Sequence, residues 1–422
     1  MAATKKMMVN IKSRLSLATS TLLSISPGVQ AQVQQDDLVI NNSVLVYSES
    51  DRVTTVAPQV NIRKTINEYN SINASVIYDT VTGSSPTGEV PYGNIQTVTS
   101  PSGNISTVSA DTRPSLSFED SRVALAANWK HIFSRRLTLT GGINASSEED
   151  YESSGGSISF NLDSEDKLTT WSLSLASSKD DISRSSRVDD VSGIPKGLTN
   201  SALLLRQSEQ EIRHSNDTVV GLTQVLSPTT LMQISLTQSH SDGYHSDPYK
   251  LISIVDGNGV QVVSYYEKRP DLRSRDILYT QIIHNIEDDV LRLGFRYYRD
   301  DWDITSYTFD LKYRASLNGY YMEPHFRYYQ QSAAGFHRYY LNSSDIAPQY
   351  ASADSRLAEF NSYTVGLSSG FREKNYQFSA RIEYMSQQAD PDRSNDPANL
   401  QAFNLFNGVE AIITQVNLTL YY

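Results

Sequence analysis

Apolar and polar residues alternate with a period of two along most of the chain, in segments of about eight to fifteen residues. One such segment places Ile72, Ala74, Val76 and Tyr78 opposite Asn73, Ser75 and Asp79. Successive side chains of a β-strand point to opposite faces, so this pattern predicts strands with one apolar and one polar face. No long segment combines an apolar stripe of helical period with capping residues, and we therefore expect an all-β fold.

The alternating runs predict sixteen strands, and the connections between them distinguish two all-β architectures. The runs lie near residues 42–50, 53–66, 71–80, 121–133, 136–147, 156–163, 168–178, 208–226, 231–240, 274–285, 290–300, 306–315, 320–330, 356–371, 376–386 and 410–422. Connections at one end are short, whereas those at the other include long segments at 81–120, 179–207, 241–273, 331–355 and 387–409. A β-sandwich does not require this alternation. It is typical of a transmembrane antiparallel β-barrel, here of about 16 strands, with short periplasmic turns and long extracellular loops.

Both ends of the chain carry patterns typical of an exported barrel. Residues 1–31 have a basic start with Lys5, Lys6, Lys12 and Arg14, then an apolar stretch, and end on Val29-Gln30-Ala31. This order predicts a secretory signal peptide, with a basic amphipathic surface helix as the alternative, and we expect residues 32–422 to form one barrel domain. The last strand alternates up to Tyr422 and resembles the terminal strand recognised by the bacterial barrel-assembly machinery. We therefore expect the bacterial outer membrane as the location, with that machinery, outer-membrane lipid and lipopolysaccharide as partners.

Composition excludes several classes of function. The 422 residues contain no cysteine, which excludes disulfides, thiolate metal sites and cysteine nucleophiles. A formal net charge of −11 argues against a nucleic-acid binder. The 26 tyrosines outnumber Phe and Trp together, and Tyr and Trp favour membrane–water interfaces. We expect the following aromatic residues on the apolar faces: Tyr78, Trp129, Trp171, Tyr279, Tyr297, Tyr307, Tyr313, Tyr328, Tyr363 and Tyr384.

Seven motifs are spread over nearly the whole chain after residue 31. They lie at 47–49, 78–88, 118–122, 147–153, 247–250, 269–275 and 329–334, and the second contains Thr82-Gly83-Ser84-Ser85-Pro86-Thr87-Gly88. These motifs resemble those of a bacterial family catalogued as a domain of unknown function, family 3570. The resemblance implies an outer-membrane barrel. It implies no activity and no functional residue.

Charged residues concentrate at the predicted inward positions of neighbouring strands in the second half of the chain. A sixteen-stranded barrel leaves an aqueous channel unless a loop folds inward, so these residues would line it. They are Arg292, Arg296, Asp310, Lys312, Arg314, Glu323, His325, Arg327, Arg381 and Glu383. Facing water, they would bias which ions or solutes pass. A mutually satisfied salt-bridge network that stiffens the wall is an equally good interpretation.

Two features of the long connections have both a functional and a structural interpretation. Residues 81–120 are rich in Ser, Thr, Gly and Pro, and either fold inward to constrict the pore or stay on the surface, which we favour. Acidic clusters lie at Glu148–Glu152, 180–181 and 189–190, where carboxylates offer oxygen ligands for Ca²⁺ or a bridge to lipopolysaccharide. These clusters lack the spacing of an EF-hand loop, which favours solvated charge.

The function that these patterns favour is a passive porin-like channel for ions or small solutes, with no chemical step, no cofactor and no metal. A structural or docking barrel with a closed lumen, which holds a periplasmic or surface partner, is the alternative. An outer-membrane hydrolase is a third hypothesis, because His240 and His245 lie near hydroxyls and carboxylates. The absence of G-x-S-x-G and H-E-x-x-H motifs disfavours it. The solute, the openness of the lumen and the oligomeric state stay open.

Overall fold

The computed structural model describes residues 37–50, 52–91, 96–99, 105–108, 112–183, 210–247, 249–344, 348–389, 393–406 and 408–422. The predicted signal peptide at residues 1–31 and the acidic pair Asp189 and Asp190 lie outside the described residues. Across the ranges that are described, no helix has both the length and the apolar character needed to span a membrane.

Strands account for most of the described chain. In order they are β1 (Leu38–Glu49), β2 (Val53–Asn67), β3 (Asn70–Pro86), β4 (Gln96–Thr99), β5 (Ile105–Val108), β6 (Ser115–Ile132), β7 (Leu137–Glu148), β8 (Tyr151–Asp163), β9 (Thr169–Ser183), β10 (Gln210–Ser227), β11 (Thr230–Gly243), β12 (Leu251–Val255), β13 (Gln261–Tyr266), β14 (Leu272–Ile286), β15 (Asp289–Asp300), β16 (Thr305–Leu317), β17 (Tyr320–Gln331), β18 (Leu341–Asn342), β19 (Phe360–Arg372), β20 (Tyr376–Gln388) and β21 (Val409–Tyr421). A 3₁₀ turn at Ser355–Leu357 and a short helix at Ala398–Gln401 complete the elements.

Sixteen of these strands form one closed antiparallel barrel, which confirms the predicted fold. Around the ring their order is β1, β2, β3, β6, β7, β8, β9, β10, β11, β14, β15, β16, β17, β19, β20 and β21. The ring closes where β21 pairs antiparallel with β1. The other five strands lie in the long connections, where β13, β12 and β18 form one small sheet and β4 and β5 another.

The connections at the two ends of the barrel differ in length, as predicted. At the short-turn end, tight loops such as residues 318–319 join the strands, and both Leu38 and Tyr421 also lie there. Asn318 and Gly319 have φ of 50° and 86°, the left-handed values that a two-residue hairpin turn requires and that Asn-Gly supplies. The opposite, long-loop end carries the connections at 87–114, 184–209, 244–271, 332–359 and 389–408.

Several strands reach further toward the long-loop end than the alternation predicted. β8 starts at Tyr151 instead of residue 156, so that the turn from β7 comprises only residues 149–150. β3 likewise continues to Pro86 and pairs there with Ser115 of β6, which shortens the predicted connection at 81–120. Backbone pairing continues after the apolar pattern has stopped, because the hydrogen bonds do not depend on the side chains.

The outer face of the barrel is a band of exposed apolar side chains. Ile143 and Leu236, for example, are 70% and 59% exposed. Among the aromatic residues expected on this face, the prediction is wrong for Tyr279. It pairs with Arg296 and lies on the inner face of the barrel, near Asp310 and Gly294. So much apolar surface is unfavourable in water, at about 25 cal/mol per Å², and the band therefore requires a nonpolar surrounding.

Four long connections fold together over the long-loop end and form a cap, defined by the described residues of 87–91, 112–114, 244–271, 332–359 and 389–408. One cap core joins Ile252, Val263, Tyr265, Leu341, Ala351 and Ala353. A second core joins Val90, Val255, Leu400 and Leu405, one or two residues from each of three connections. These two cores lie within the cap, and a further cluster of Ala358 and Phe406 with Phe360 of β19 joins the cap to the barrel wall.

The cap crosses the mouth of the barrel. Lys250, in the connection after β11, donates from Nζ to the Oγ of Ser85 at 3.0 Å and to the carbonyl of Pro86, both at the end of β3. β3 and β11 are six strands apart on one side of the ring and ten on the other, so this contact spans the opening. Gly88, at φ +105°, allows the chain after β3 to pass the carbonyl of Leu251, which a Cβ would approach to 2.4 Å.

Residues 87–90, which follow β3 in the predicted 81–120 connection, belong to this cap and do not form a surface loop. Val90 is fully buried, and its backbone N–H donates to Ser253 Oγ at 3.0 Å. Leu251 in turn donates from its backbone N–H to the carbonyl of Thr87 at 2.8 Å. The favoured expectation of an exposed loop is therefore wrong for residues 87–90, because apolar side chains from neighbouring connections cover them.

Leu400→Ala should loosen the cap and leave the barrel intact. Leu400 is 1% exposed and packs in the second cap core, so its truncation should cost about 2–5 kcal/mol of local stability. Limited proteolysis should then cut the cap faster, while the heat-resistant mobility of the folded barrel on gels stays unchanged. Leu317→Ala, at a position that is 72% exposed, is the matched control and should change neither. Equal protease resistance of both variants would contradict the role assigned to Leu400 in the cap core.

Candidate functional site

The inner face of β15, β16, β17 and β20 carries the ten charged and titratable residues predicted to line the lumen. Three of them form one cluster near the short-turn end: Glu323 accepts from Arg292 at 2.6 Å and from Arg314 at 2.9 Å. Arg327 lies nearer the middle and donates to Asp310 at 2.9 Å, with 51% of its side chain exposed to the lumen. The predicted residues are therefore brought together on one wall.

His325 bridges two carboxylates in the middle of this wall. Its Nδ1 lies 2.8 Å from Glu383 Oε1, and its Nε2 lies 3.0 Å from Asp310 Oδ2. An ionised carboxylate only accepts hydrogen bonds, so both contacts are hydrogen bonds when the imidazole carries two hydrogens. His325, Gly366 and Glu383 are directly paired across three strands. Gly366 leaves room for Glu383 to reach over β19, because a Cβ there would lie 2.4 Å from Glu383 Cγ.

The remaining predicted residues extend the same wall. Arg381 donates to Gln415 at 2.8 Å and lies 3.5 Å from Glu383, which connects the charged wall to β21. The guanidinium of Arg296 lies 5.9 Å from the ring of Tyr298. Lys312 pairs in register with both Arg292 and His325. Six cationic side chains thus share this wall with three carboxylates and one imidazole. The hydrogen bonds show a connected network, and the lumen-facing cations keep an excess of positive charge.

The opposite wall is almost free of charge in its middle section. On β7, β8 and β9, the inward positions of this section carry small uncharged residues: Thr138, Thr140, Gly142, Asn144, Gly155, Ser157, Ser159, Asn161, Ser172, Ser174, Ala176 and Ser178. The lumen is therefore electrically asymmetric, with a cation-rich wall facing a hydroxyl-rich one. Cations that face a wall without countercharges create a positive potential in the space between the walls.

A cavity of about 690 Å³ lies inside the barrel directly beneath the cap. Its wall comes mainly from the inner faces of β21, β1, β2 and β3, with single residues of β6, β19 and β20, and its roof from Lys250 and the cap segment 353–356. Much of this wall is apolar, formed by Leu45, Ala57, Ile77, Val81, Phe360 and Ile413. A water-filled barrel normally has a polar interior, so this patch departs from the rule.

The sequence contains a signal for this apolar wall that strict alternation overlooks. Leu45, Ile77 and Ile413 each adjoin outward apolar residues, in Val44-Leu45-Val46, Val76-Ile77-Tyr78 and Ile412-Ile413. Consecutive apolar residues in a strand make both faces apolar. Such runs, falling on neighbouring strands, indicate where the inner face changes character.

Charged groups surround the cavity at its cap side. Arg122 donates from Nε and Nη2 to Asp79 Oδ2 at 2.9 and 2.7 Å. Arg356 donates from Nε to Asp354 Oδ2 at 2.7 Å and from Nη2 to Asp247 at 3.0 Å. The first pair joins β3 to β6 in the barrel wall and the second lies in the cap roof, and both place cationic groups next to the cavity.

A buried ionic network anchors the cap roof. Arg269 donates to Glu267 at 3.0 Å and to Asp354 at 2.8 Å. Burial lowers the pKa of Lys250, and the carboxylates of Asp354 and Asp247 oppose that shift. Burial would raise the pKa of Asp354, but Arg356 and Arg269 hold it well below its usual range. Removing one member of a buried charge network typically costs about 3–5 kcal/mol, so the network favours one arrangement of the cap.

The two histidines of the hydrolase hypothesis do not share one site. His240 is exposed on the outer face, where Nδ1 lies 3.0 Å from Ser274 Oγ. His245 is buried, with Nε2 2.8 Å from Ser241 Oγ and Nδ1 2.8 Å from the carbonyl of Gly243. Burial lowers the pKa of His245 to about 3. Ser241 is fully buried, so a substrate would not reach its hydroxyl in this arrangement.

The described acidic clusters do not form a cation site. Asp180 accepts from Arg213 Nε at 2.9 Å, and Asp150 accepts from the hydroxyl of Tyr249. Throughout the ranges described, no group of three or more His, Asp and Glu side chains is placed to hold a metal ion. These carboxylates instead tie the strand ends to the cap and to each other.

Comparison with known protein families identifies the family of this chain. A family model described as "Protein of unknown function (DUF3570)" matches residues 12–420. The chain belongs to the DUF3570 family. No curated protein matches the sequence of this DUF3570 member.

Several solved structures are similar to this DUF3570 chain at low sequence identity. The siderophore receptor PirA from Acinetobacter baumannii is 9% identical over 84% of this chain, with a TM-score of 0.41. This chain covers 53% of that receptor, about half its length. OccK2 (OpdF) from Pseudomonas aeruginosa, in complex with glucuronate, is 8% identical over 93% of this chain and 100% of its own, with a TM-score of 0.41. A bacterial polysaccharide outer membrane secretin is 7% identical over 92% of this chain and 99% of its own, with a TM-score of 0.44.

Gly366→Ala should disrupt the bridge between His325 and Glu383. The added Cβ would meet Glu383 Cγ at 2.4 Å and the carbonyl of Ile382 at 3.0 Å, and such overpacking typically costs about 1–3 kcal/mol. Urea unfolding of the purified barrel, followed by tryptophan fluorescence, should show a lower midpoint. Gly141→Ala is the matched control, because nothing lies within 4 Å of its added Cβ. Equal midpoints for the two variants would contradict the role assigned to Gly366.

Proposed function

We propose that this DUF3570 protein is a barrel of the bacterial outer membrane that acts as a passive channel for ions and small solutes, with a preference for anions. The observation that carries the proposal is the combination of an exposed apolar outer band with an inner wall on which six cations face three carboxylates. A closed sheet satisfies its backbone hydrogen bonds in hydrocarbon. Solutes move down their gradient without a chemical step, so the proposed protein is not an enzyme.

The location and assembly of the barrel belong to the same proposal. Residues 1–31 would act as the signal peptide, and the strand ending near Tyr422 would be recognised by the barrel-assembly machinery. The apolar band would contact lipid and, at the long-loop end, lipopolysaccharide. The short turns then lie in the periplasm and the cap faces outward, as is usual for barrels of this kind.

The cap determines whether the proposed channel is open or closed. It crosses the mouth and is anchored by the network around Asp354, so solutes pass when the cap rearranges or through spaces beside it. The same observation supports a second candidate function, a docking barrel whose lumen stays closed and whose outer surface holds a partner. Conductance in planar bilayers distinguishes the two, because a docking barrel would produce no channel openings.

A charge on the outer face should interfere with membrane insertion. Leu236→Arg introduces a cation near the middle of β11 on the lipid side, where an arginine costs about 2–4 kcal/mol. The yield of barrel refolded into lipid vesicles should fall. Gln233→Arg, on the inner face of the same strand, is the control and should refold normally. A normal yield for Leu236→Arg would contradict the membrane assignment.

Removing lumen cations should reduce anion preference. Arg296→Gln and Arg327→Gln each remove one positive charge from the wall, and the reversal potential in a salt gradient should shift toward that of a nonselective pore. Arg299→Gln is the matched control, since Arg299 is 63% exposed and pairs with Asp276 on the outer face of β15. Reversal potentials that respond equally to all three substitutions would contradict a selective role for the inner wall.

A further inference from the structure

The space beneath the cap has a lining unlike the rest of the inner face, with an apolar wall on one side and cationic side chains above it. We propose that this cavity is a binding site for a small amphipathic anion, an organic carboxylate with an apolar body. The inference deepens the proposed channel function by naming a solute class, and it rests on that function in so far as the ligand enters through the lumen. Three features of the cavity support it.

The apolar wall is contiguous across neighbouring strands. Leu45 of β1 pairs directly with Ala57 of β2, and Ile413 of β21 pairs with Tyr47 of β1. Ile77 extends the patch to β3. Apolar side chains facing an open cavity gain about 25 cal/mol for each Å² that a ligand removes from water. The wall therefore favours a ligand with a hydrocarbon or aromatic body.

Two of the ion pairs around the cavity expose the cation more than the carboxylate, whereas Arg122 and Asp79 are similarly buried, at 8% and 6%. Arg356 keeps 30% of its side chain exposed, whereas its partner Asp354 keeps only 3%. In the pair of Arg52 and Glu49, the exposed fractions of the two side chains are 17% and 0%. A ligand near Arg356 or Arg52 thus meets the guanidinium group before the carboxylate behind it.

The residues that line the cavity include more cationic than anionic side chains. Four cationic side chains contribute to the cavity, Arg52, Arg122, Lys250 and Arg356, against two carboxylates, Asp79 and Asp354. Guanidinium groups bind carboxylates through strong, directional hydrogen bonds. Glu49 and Asp247 lie behind Arg52 and Arg356, so a ligand carboxylate beneath the roof would contact these cations from the side that faces the cavity.

The size of the cavity fits a small organic molecule. Ligand sites in proteins usually measure about 300–1,000 Å³ and combine apolar walls with a few polar groups that fix the orientation. The cavity has about 690 Å³ and this combination of groups. The ligand's apolar body would lie against β1, β2 and β21, and its carboxylate would point toward Arg356 and Lys250.

Binding can be measured with the full chain in lipid nanodiscs by equilibrium dialysis, with empty nanodiscs as the reference. The probes are 4-phenylbutyrate, the neutral 4-phenylbutan-1-ol and the cationic 4-phenylbutylamine, which share one apolar skeleton. We expect saturable binding of the carboxylate, at least about tenfold tighter than that of the alcohol or the amine. Equal affinity for the three probes, or no saturable binding of the carboxylate, would overturn the inference.

Ala57→Trp fills the cavity from its apolar wall and should weaken binding of 4-phenylbutyrate at least about tenfold. Ala176→Trp, on the inner face of β9 and outside the cavity lining, is the matched control and should bind normally. Unchanged binding in Ala57→Trp would also overturn the proposal. Should Ala57→Trp fail to assemble, Ile413→Glu tests the same wall, because its carboxylate should reverse the preference from the carboxylate probe to the amine.

Failure of this inference is separable from failure of the proposed function. Single-channel recordings with the same preparations report conduction independently of binding. Channel openings without carboxylate binding would overturn the site and retain the channel. Saturable binding without channel openings would overturn the channel and retain the site, in agreement with a closed barrel. When both hold, 4-phenylbutyrate should block the current in the wild type and in Ala176→Trp but not in Ala57→Trp.

Discussion

Closure of the sheet depends on the ladder between β1 and β21, which pairs eleven residues from Val39 with Tyr421 to Glu49 with Ala411. Without this ladder, two strand edges would expose unpaired N–H and C=O groups, which hydrocarbon does not tolerate. Once the ring is closed, period-two alternation separates the faces: one set of side chains points outward and the other points into the lumen. The exposed apolar band and the charged inner wall are therefore two consequences of one backbone constraint.

The inner face divides into three regions with different physical roles. On β15 to β20, a connected network places charges close together, and Gly366 provides the gap through which Glu383 reaches His325. On β7 to β9, small hydroxyl-bearing residues leave the field of these charges uncompensated. Beneath the cap, apolar residues of β1, β2, β3 and β21 replace the polar lining. The described inner face therefore combines a charged region and a hydroxyl-rich region with a localised apolar patch.

The sequence predicts the barrel and its charged wall well, because both follow from local alternation. The strand number, the antiparallel closed sheet and the inward position of residues such as Arg314 are all set by period two. Contacts between distant connections leave no such pattern, so the burial of Val90 beside Leu400 and the bridge from Lys250 to Ser85 were not predicted. Tyr279 lies on the inner face, contrary to the prediction, because its position in the strand and not the apolar character of its ring sets its direction.

Accessibility along a single strand tests the central claim, a closed cylinder with a nonpolar outside and an aqueous inside. The cysteine-free chain permits single substitutions at four successive positions of β2: Gln59→Cys, Val60→Cys, Asn61→Cys and Ile62→Cys. In lipid nanodiscs, a charged water-soluble thiol reagent should label the variants at 59 and 61 rapidly, and those at 60 and 62 at least about tenfold more slowly, because lipid covers them. Equal labelling at all four positions, or faster labelling at 60 and 62, would contradict the account.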